Sequence, residues 1–271
     1  IDLVDVAAED GLTQTIEEVS DAQGRHQQGG AFLVDQVAQH QELNHPGHDE
    51  HHRSRASKCQ QVDQQEVVDA AIRAGVEMLV FAVDGTLERD IYAGRSHLGP
   101  HLNENGYQRL ADHITKYATI AKSAGVRSSF HPHSATYIET PEETRKLMAL
   151  LEHDLVGMCL DVGHWIVGGG DPVQGVIEYG KRVTHVHIKD VDPEVLKKLV
   201  AGEYEGMHVA VEDHYLFVPA GEGALDLVGL FNELEKLNFS DWMMSEQDKA
   251  REPAEEKSGV SMRNIKAALN L

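Results

Sequence analysis

Val156-Gly-Met-Cys-Leu-Asp-Val-Gly-His164 and Val183-Thr-His-Val-His-Ile-Lys-Asp190 are the stretches whose reading decides the fold. Each is a short β-branched and apolar run that ends abruptly in ligand-type side chains. An apolar run of this length, without polar alternation, suits a strand buried on both faces, as in a parallel sheet. A carboxylate or imidazole at the C-terminal end of such a strand places the active site on that edge of the sheet. The fold class expected is therefore α/β.

Outward from these runs the text alternates. Val67, Val68, Ala71 and Ile72 make a helix face closed by Gly75, and Glu77–Val83 reads as a buried strand. Residues 84–106 form a long polar connection of the kind that covers a pocket. Tyr107–Ala124 is amphipathic, with Leu110, Ile114, Tyr117 and Ala121 in register and Gly125 as the stop. Val126–His131 is the next strand, and Thr140-Pro-Glu-Glu143 is a capping box that starts a helix carrying Leu147, Leu150 and Leu151. After the strand Val156–Asp161, Asp171-Pro172 caps and starts a helix that Gly180 ends. Strand Val183–Ile188 leads into a long excursion through Pro219-Ala-Gly-Glu-Gly223, and Asp226 caps the following helix. Trp242–Glu246 is the last strand and Met262–Leu269 the last helix. Five strand–helix units from residue 66 onward predict a parallel sheet with right-handed crossovers.

An eight-stranded barrel needs three more strands from residues 1–65, which supply them poorly. Ile1–Val6 reads as a strand remnant, with a helix from about Gly11 carrying Leu12, Ile16 and Val19. Residues 23–65 are Gln- and His-rich, with His40, His45, His48, His51 and His52, and only Ala31–Val34 offers a strand core. Three readings stay open for this tract: a solvated loop, which its composition favours, a metal-binding segment, or the product of a reading-frame slip.

At 271 residues the chain accommodates a single barrel domain of about 250 residues. Its 24 Lys plus Arg against 45 Asp plus Glu leave a formal charge of −21, which argues against nucleic acid or an anionic membrane as partner. The two cysteines, Cys59 and Cys159, make neither a disulfide framework nor a cysteine zinc site. No apolar run approaches the roughly 18 residues of a membrane helix, and no basic-then-apolar leader opens the chain. Because the chain starts at Ile1, preceding sequence is open. The expectation is a soluble, cytoplasmic protein, with homo-oligomerisation left open.

Side chains two apart on a strand share a face. His131 and His133 share one if the strand continues past Pro132, and His185 and His187 share one on their own strand. In a closed barrel the tips His131, Asp161, His187 and Glu246 converge on the axis. They form a nitrogen–oxygen set suited to one divalent ion, with Mn²⁺ or Co²⁺ favoured and Mg²⁺, Fe²⁺ or Zn²⁺ also compatible. The alternative, a set of hydrogen-bonded interior polar groups, suits one such residue better than four strand ends in succession.

Leu160-Asp-Val-Gly-His164, Gly168-Gly-Gly-Asp-Pro172, His185-Val-His-Ile-Lys-Asp190, Val218-Pro-Ala-Gly-Glu-Gly223 and the Trp242–Asp248 segment resemble the xylose-isomerase-like barrel superfamily of sugar isomerases, epimerases and lyases. Their order and spacing are most similar to its inosose (2-keto-myo-inositol) dehydratase branch. The resemblance spans roughly residues 66–250. It implies a (β/α)8 TIM barrel with one divalent metal on the positions of Asp161, His187 and Glu246. It also implies that His164 and Lys189 contact substrate, and His133 is expected beside them. One departure is His131, in Phe130-His-Pro-His133, where most of the superfamily has a Glu ligand; the dehydratase branch is also His-rich there. Another is the shortened ending Ser245-Glu-Gln-Asp248.

The implied chemistry is proton removal beside a carbonyl, followed by loss of a β-hydroxyl from a keto-polyol or keto-sugar. Glu139, His133 and Glu246 are the candidate acid/base groups, and Lys189 aids the developing oxyanion. Glu139, on the loop after His133, is also a candidate for the missing carboxylate ligand. An isomerase or epimerase is the alternative in the same fold, and a non-catalytic metal-binding protein the alternative outside it. No Arg cluster for phosphate stands out in the sequence, which favours an unphosphorylated substrate.

Overall fold

The computed structural model describes residues 64–251 and 253–271, together with the strands Leu3–Ala7 and Ala31–Asp35. The helix expected from about Gly11, the histidines of the 40–52 tract and Cys59 lie outside the described residues. The elements in order are β1 (Leu3–Ala7), β2 (Ala31–Asp35), α1 (Gln64–Ala74), β3 (Met78–Val83), α2 (Leu87–Asp90), α3 (Glu104–Ser123), β4 (Arg127–His131) and α4 (Pro141–Met148). Next come β5 (Gly157–Asp161), α5 (Val162–Val167), α6 (Pro172–Tyr179), β6 (Val183–Ile188), β7 (Asp190–Val191), α7 (Pro193–Ala201) and α8 (Met207–Glu212). The chain closes with β8 (Phe217–Val218), α9 (Leu227–Lys236), β9 (Met243–Gln247) and α10 (Ala254–Ala268).

Seven strands form one sheet in the order β1-β9-β6-β5-β4-β3-β2, and every pairing in it is parallel. Neighbours follow chain order, and the first strand lies beside the last. Closing a (β/α)8 barrel brings the first strand beside the last, and β1 takes that place beside β9, although the sheet of the described residues stays open between β1 and β2. β1 and β2 are the two edges, and residues 8–30, between them in sequence, lie outside the described residues. Both segments that offered strands before residue 65 are therefore in the sheet.

The expected caps form. The Thr140 hydroxyl accepts from the Glu143 N–H while the Glu143 carboxylate accepts from the Thr140 N–H. Asp171 and Asp226 accept from first-turn N–H groups of α6 and α9, and Asp192, where no cap was expected, does the same for α7, satisfying donors that a helix start leaves open. α10 is longer than expected, beginning at Ala254 rather than Met262. Its start lacks both a side-chain cap and an early apolar run, so neither signal marked it.

The main core fills the space between strands and helices, with Phe130, Met158, Leu160, Val186, Leu147 and Leu230 at its centre. A second cluster of Val167, Val191, Leu199, Met207, Ala210, Leu216 and Phe217 packs α7 and α8 against the antiparallel pair β7–β8. These elements make up the long excursion after β6, so it is a folded cap. Asp190 holds it: one carboxylate oxygen accepts from Gly221 and Gly223 N–H, the other from Val191 and Leu225 N–H. The Pro219–Gly223 run therefore wraps a buried carboxylate. At Gly223 a Cβ would come within 2.4 Å of an Asp190 carboxylate oxygen, so the close approach needs glycine.

Candidate metal centre

The C-terminal ends of β4, β5, β6 and β9 bring His131, Asp161, His187 and Glu246 together, as their strand-tip positions predict. His131 Nε2 and His187 Nδ1 each lie 3.4 Å from Asp161 Oδ2, and His187 Nδ1 is 2.8 Å from Glu246 Oε2. Ligand atoms of Asp161, His187 and Glu246 all fall within 4.8 Å of one another. Asp161 divides its work. Oδ1 accepts the His164 N–H at 2.9 Å and caps α5, while Oδ2 faces the cluster.

This donor set fits a divalent cation. Asp161 Oδ2 and Glu246 Oε2 are buried with no partner in hydrogen-bond geometry, although polar nitrogens stand near both. Buried carboxylate oxygens left so are costly unless they meet a cation. Burial alone would raise both carboxyls, but the Lys189 ammonium beside them, joined by His187 at Glu246, holds both below the ordinary range. Two carboxylates kept ionised beside two imidazoles offer the mixed oxygen and nitrogen donors that a divalent ion takes.

Lys189 is 1% exposed, between β6 and β7. Its Nζ lies 3.4 Å from Asp161 Oδ2, 3.2 Å from Glu246 Oε1, 2.9 Å from Asp248 Oδ1 and 3.1 Å from His164 Nε2. Burial works against its charge, and Asp161, Asp248 and Glu246 outweigh burial, so the ammonium persists. Its stem runs over Gly163, where a Cβ would meet Lys189 Cγ at 2.8 Å.

His133 lies beyond the end of β4, yet its ring stays with the cluster, 5.5 Å from His131 and 3.6 Å from His164 between centroids. Burial, with the charges of His131 and Lys189, pushes His133 down to about 4, so it is neutral at pH 7. His164 is held by the Ser134 hydroxyl at Nδ1 and by Phe217, whose ring stands edge-on at 5.2 Å. Phe217 also lies 4.8 Å from Lys189 Nζ.

Glu139 is placed elsewhere. One carboxylate oxygen accepts from Gly94 N at 2.8 Å and the other from Ala135 N at 2.7 Å. The charged groups acting on it are Arg89 and Glu143, a buried pair 3.1 Å apart. Glu139 therefore ties the 84–106 connection to the turn after β4, and the expected fourth carboxylate ligand is not supplied by it.

Sequence reasoning missed three parts of this site. Asp248 was legible as the residue two beyond Glu246, where strand alternation returns the same face. Ser134 and Phe217 carried no signal, because each reaches His164 from a turn or short strand whose position depends on the whole fold.

Comparison with known proteins agrees with this geometry. Residues 5–268 match the xylose isomerase-like TIM barrel family. The chain is 32% identical over 167 residues to an inosose dehydratase of Clostridium botulinum, covering 62% of this chain and 54% of that protein. It is 35% identical over 151 residues to the inosose dehydratase of Geobacillus kaustophilus, covering 55% and 48%. The chain thus spans about half the length of the curated relatives it matches. Among solved structures, the IolI protein with a bound zinc atom superposes with a TM-score of 0.55 at 19% identity, over 76% of this chain and 67% of that one. The probable 3-DHS dehydratase AsbF of Bacillus anthracis gives 0.57 at 14% identity, over 87% and 75%. With the strand order, the strand-tip cluster and a match over nearly its whole length in hand, the chain belongs to the xylose isomerase-like TIM barrel family.

Proposed function

We propose that this chain is a divalent-metal-dependent dehydratase acting on a keto-polyol of the inosose type. The observation that carries the reading is the buried set Asp161, His187 and Glu246, joined by His131, on the edge where the dehydratase-like motifs fall. The identity to inosose dehydratases supports the substrate class. A bound Mn²⁺, Co²⁺ or other divalent ion would supply the charge that polarises a substrate carbonyl.

The chain's own groups do the rest. Lys189 holds a positive charge beside the cluster and opposes the negative charge that develops on the carbonyl oxygen. His164, fixed by Ser134, and His133 tilted against it present neutral imidazoles to substrate hydroxyls. Glu246 and His133 are the acid/base candidates that face the cluster, one to take the proton beside the carbonyl and one to protonate the departing β-hydroxyl. Phe217 and the β7–β8 cap cover the Lys189 and His164 side and exclude water from it. No helix among the described residues is long and apolar enough to cross a membrane, and the reaction suits an enzyme of the cytoplasm.

The test is product analysis on 2-keto-myo-inositol with chelated protein reloaded with Mn²⁺ or Co²⁺. Loss of one water from the substrate is expected, with Asp161→Asn reducing kcat/KM by roughly a hundredfold or more and releasing the metal. An epimerised keto-polyol without dehydration would move the assignment to an epimerase of the same fold.

A further inference from the structure

Beneath the carboxylates lies a second set of donors that the dehydratase reading leaves unused. Cys159 sits on β5 two residues before Asp161, on the same face and with no exposure. Its register partner on β6 is His185, as His187 is the partner of Asp161. The two strands therefore stack an Asp161–His187 layer on a Cys159–His185 layer. One ligand atom each from His131, Cys159 and His187 lies within 4.8 Å of the others. His185, 2% exposed, stands 5.0 Å from the His187 ring, and neither of its nitrogens has a hydrogen-bond partner among the described residues. The layer therefore carries a thiol level with an imidazole, two side chains of metal-ligating type at this depth.

We propose that Cys159 is a metal ligand, and that His131, Cys159 and His187 form a soft-donor seat for a thiophilic divalent ion, Zn²⁺ or Co²⁺, adjoining the carboxylate seat. The inference rests on the divalent-metal reading of the site and narrows it. Coordination breaks the S–H bond, forms the sulfur–metal bond and sends the proton to solvent. Thiolate and imidazole favour Zn²⁺ and Co²⁺ over Mg²⁺ and Mn²⁺, which prefer oxygen. The competing role for Cys159 is a thiol that orients the His187 ring and never touches the ion.

Titration of the chelated full chain with Co²⁺, followed by absorption spectroscopy, separates the two. The first equivalent is expected to bring a near-ultraviolet sulfur-to-cobalt charge-transfer band in the wild type and in Cys59→Ser. Cys159→Ser should still take up Co²⁺ with its visible bands but lack the charge-transfer band. In parallel competition, the wild-type preference for Zn²⁺ over Mn²⁺ should fall roughly tenfold or more in Cys159→Ser. If Cys159→Ser fails to fold, the band in Cys59→Ser still assigns the sulfur, because the chain has two cysteines. Co²⁺ uptake by the wild type without a charge-transfer band, or loss of the band in Cys59→Ser, overturns the thiolate and leaves the metal reading standing. No Co²⁺ uptake at all overturns both.

Discussion

Glu139, one of the acid/base candidates, accepts from the Gly94 and Ala135 N–H groups. It is 1% exposed, and burial pushes its carboxyl up to about 7 against the partial opposition of the Gly94 and Ala135 N–H groups and Arg89. A carboxyl raised above its unfolded value of 4.5 binds its proton more tightly in the folded state. Its contribution is fully present below about pH 4.5 and is lost as the pH rises through about 7. Glu139→Gln, which keeps the shape of the protonated form, should therefore gain on the wild type between pH 4.5 and 8, by at most about 3 kcal/mol. Denaturant melts of both proteins across that range check it, and a difference that stays flat with pH would show that Glu139 is not raised. Asp161 lies at the other extreme. Its place at the strand tip was legible from Leu160-Asp-Val-Gly-His164, whereas its capping of α5 through the His164 N–H appears only once the turn is built.

At the scale of elements, the register between β5 and β6 decides which imidazoles reach the cluster. It shifts between Met158 and Cys159, so that Met158 pairs with Val183 and Cys159 with His185. The extra residue on β6, Thr184, brings His185 and His187 level with Cys159 and Asp161. Gly157 makes room for it: a Cβ there would come 2.1 Å from Thr184 Oγ1 and 3.0 Å from its Cβ. Gly157→Ala is therefore expected to destabilise the protein by about 1–3 kcal/mol and to weaken metal uptake by moving β6. Unfolding midpoints with a parallel metal titration measure both effects, and an unperturbed protein would show that the register does not depend on Gly157. Helix starts were legible at this scale because Thr140-Pro-Glu-Glu143, Asp171-Pro172 and Asp226 cap by local chemistry. The α7, α8 and β7–β8 cap was not, since it is held by Asp190 reaching across more than thirty positions to Gly221, Gly223 and Leu225.

For the whole molecule, the metal reading ties ion binding to the fold. The cluster draws on four strands, β4, β5, β6 and β9, so an ion bound there bridges distant parts of the sheet and favours only the folded state. At a hundred times its dissociation constant such an ion adds about 2.7 kcal/mol. Thermal unfolding after chelation should therefore be cooperative and should shift upward with added Co²⁺ or Zn²⁺. Asp161→Asn should abolish the shift. A melt indifferent to every divalent ion would remove the metal reading.

What the sequence determined by itself was the alternation of strands and helices from residue 66 onward, the local caps, and the placing of His131, Asp161, His187 and Glu246 at strand ends. Each of these is written in short-range patterns: apolar runs, turn residues and the two-residue period of a strand. Tertiary structure alone decided that β1 meets β9, that His185 comes level with Cys159, that Ser134 and Phe217 complete the surroundings of His164 and Lys189, and that Glu139 accepts from the Gly94 and Ala135 N–H groups. Those are matters of register and long-range packing. They depend on which segments lie side by side once the sheet has curled, and no local stretch of chain carries that information.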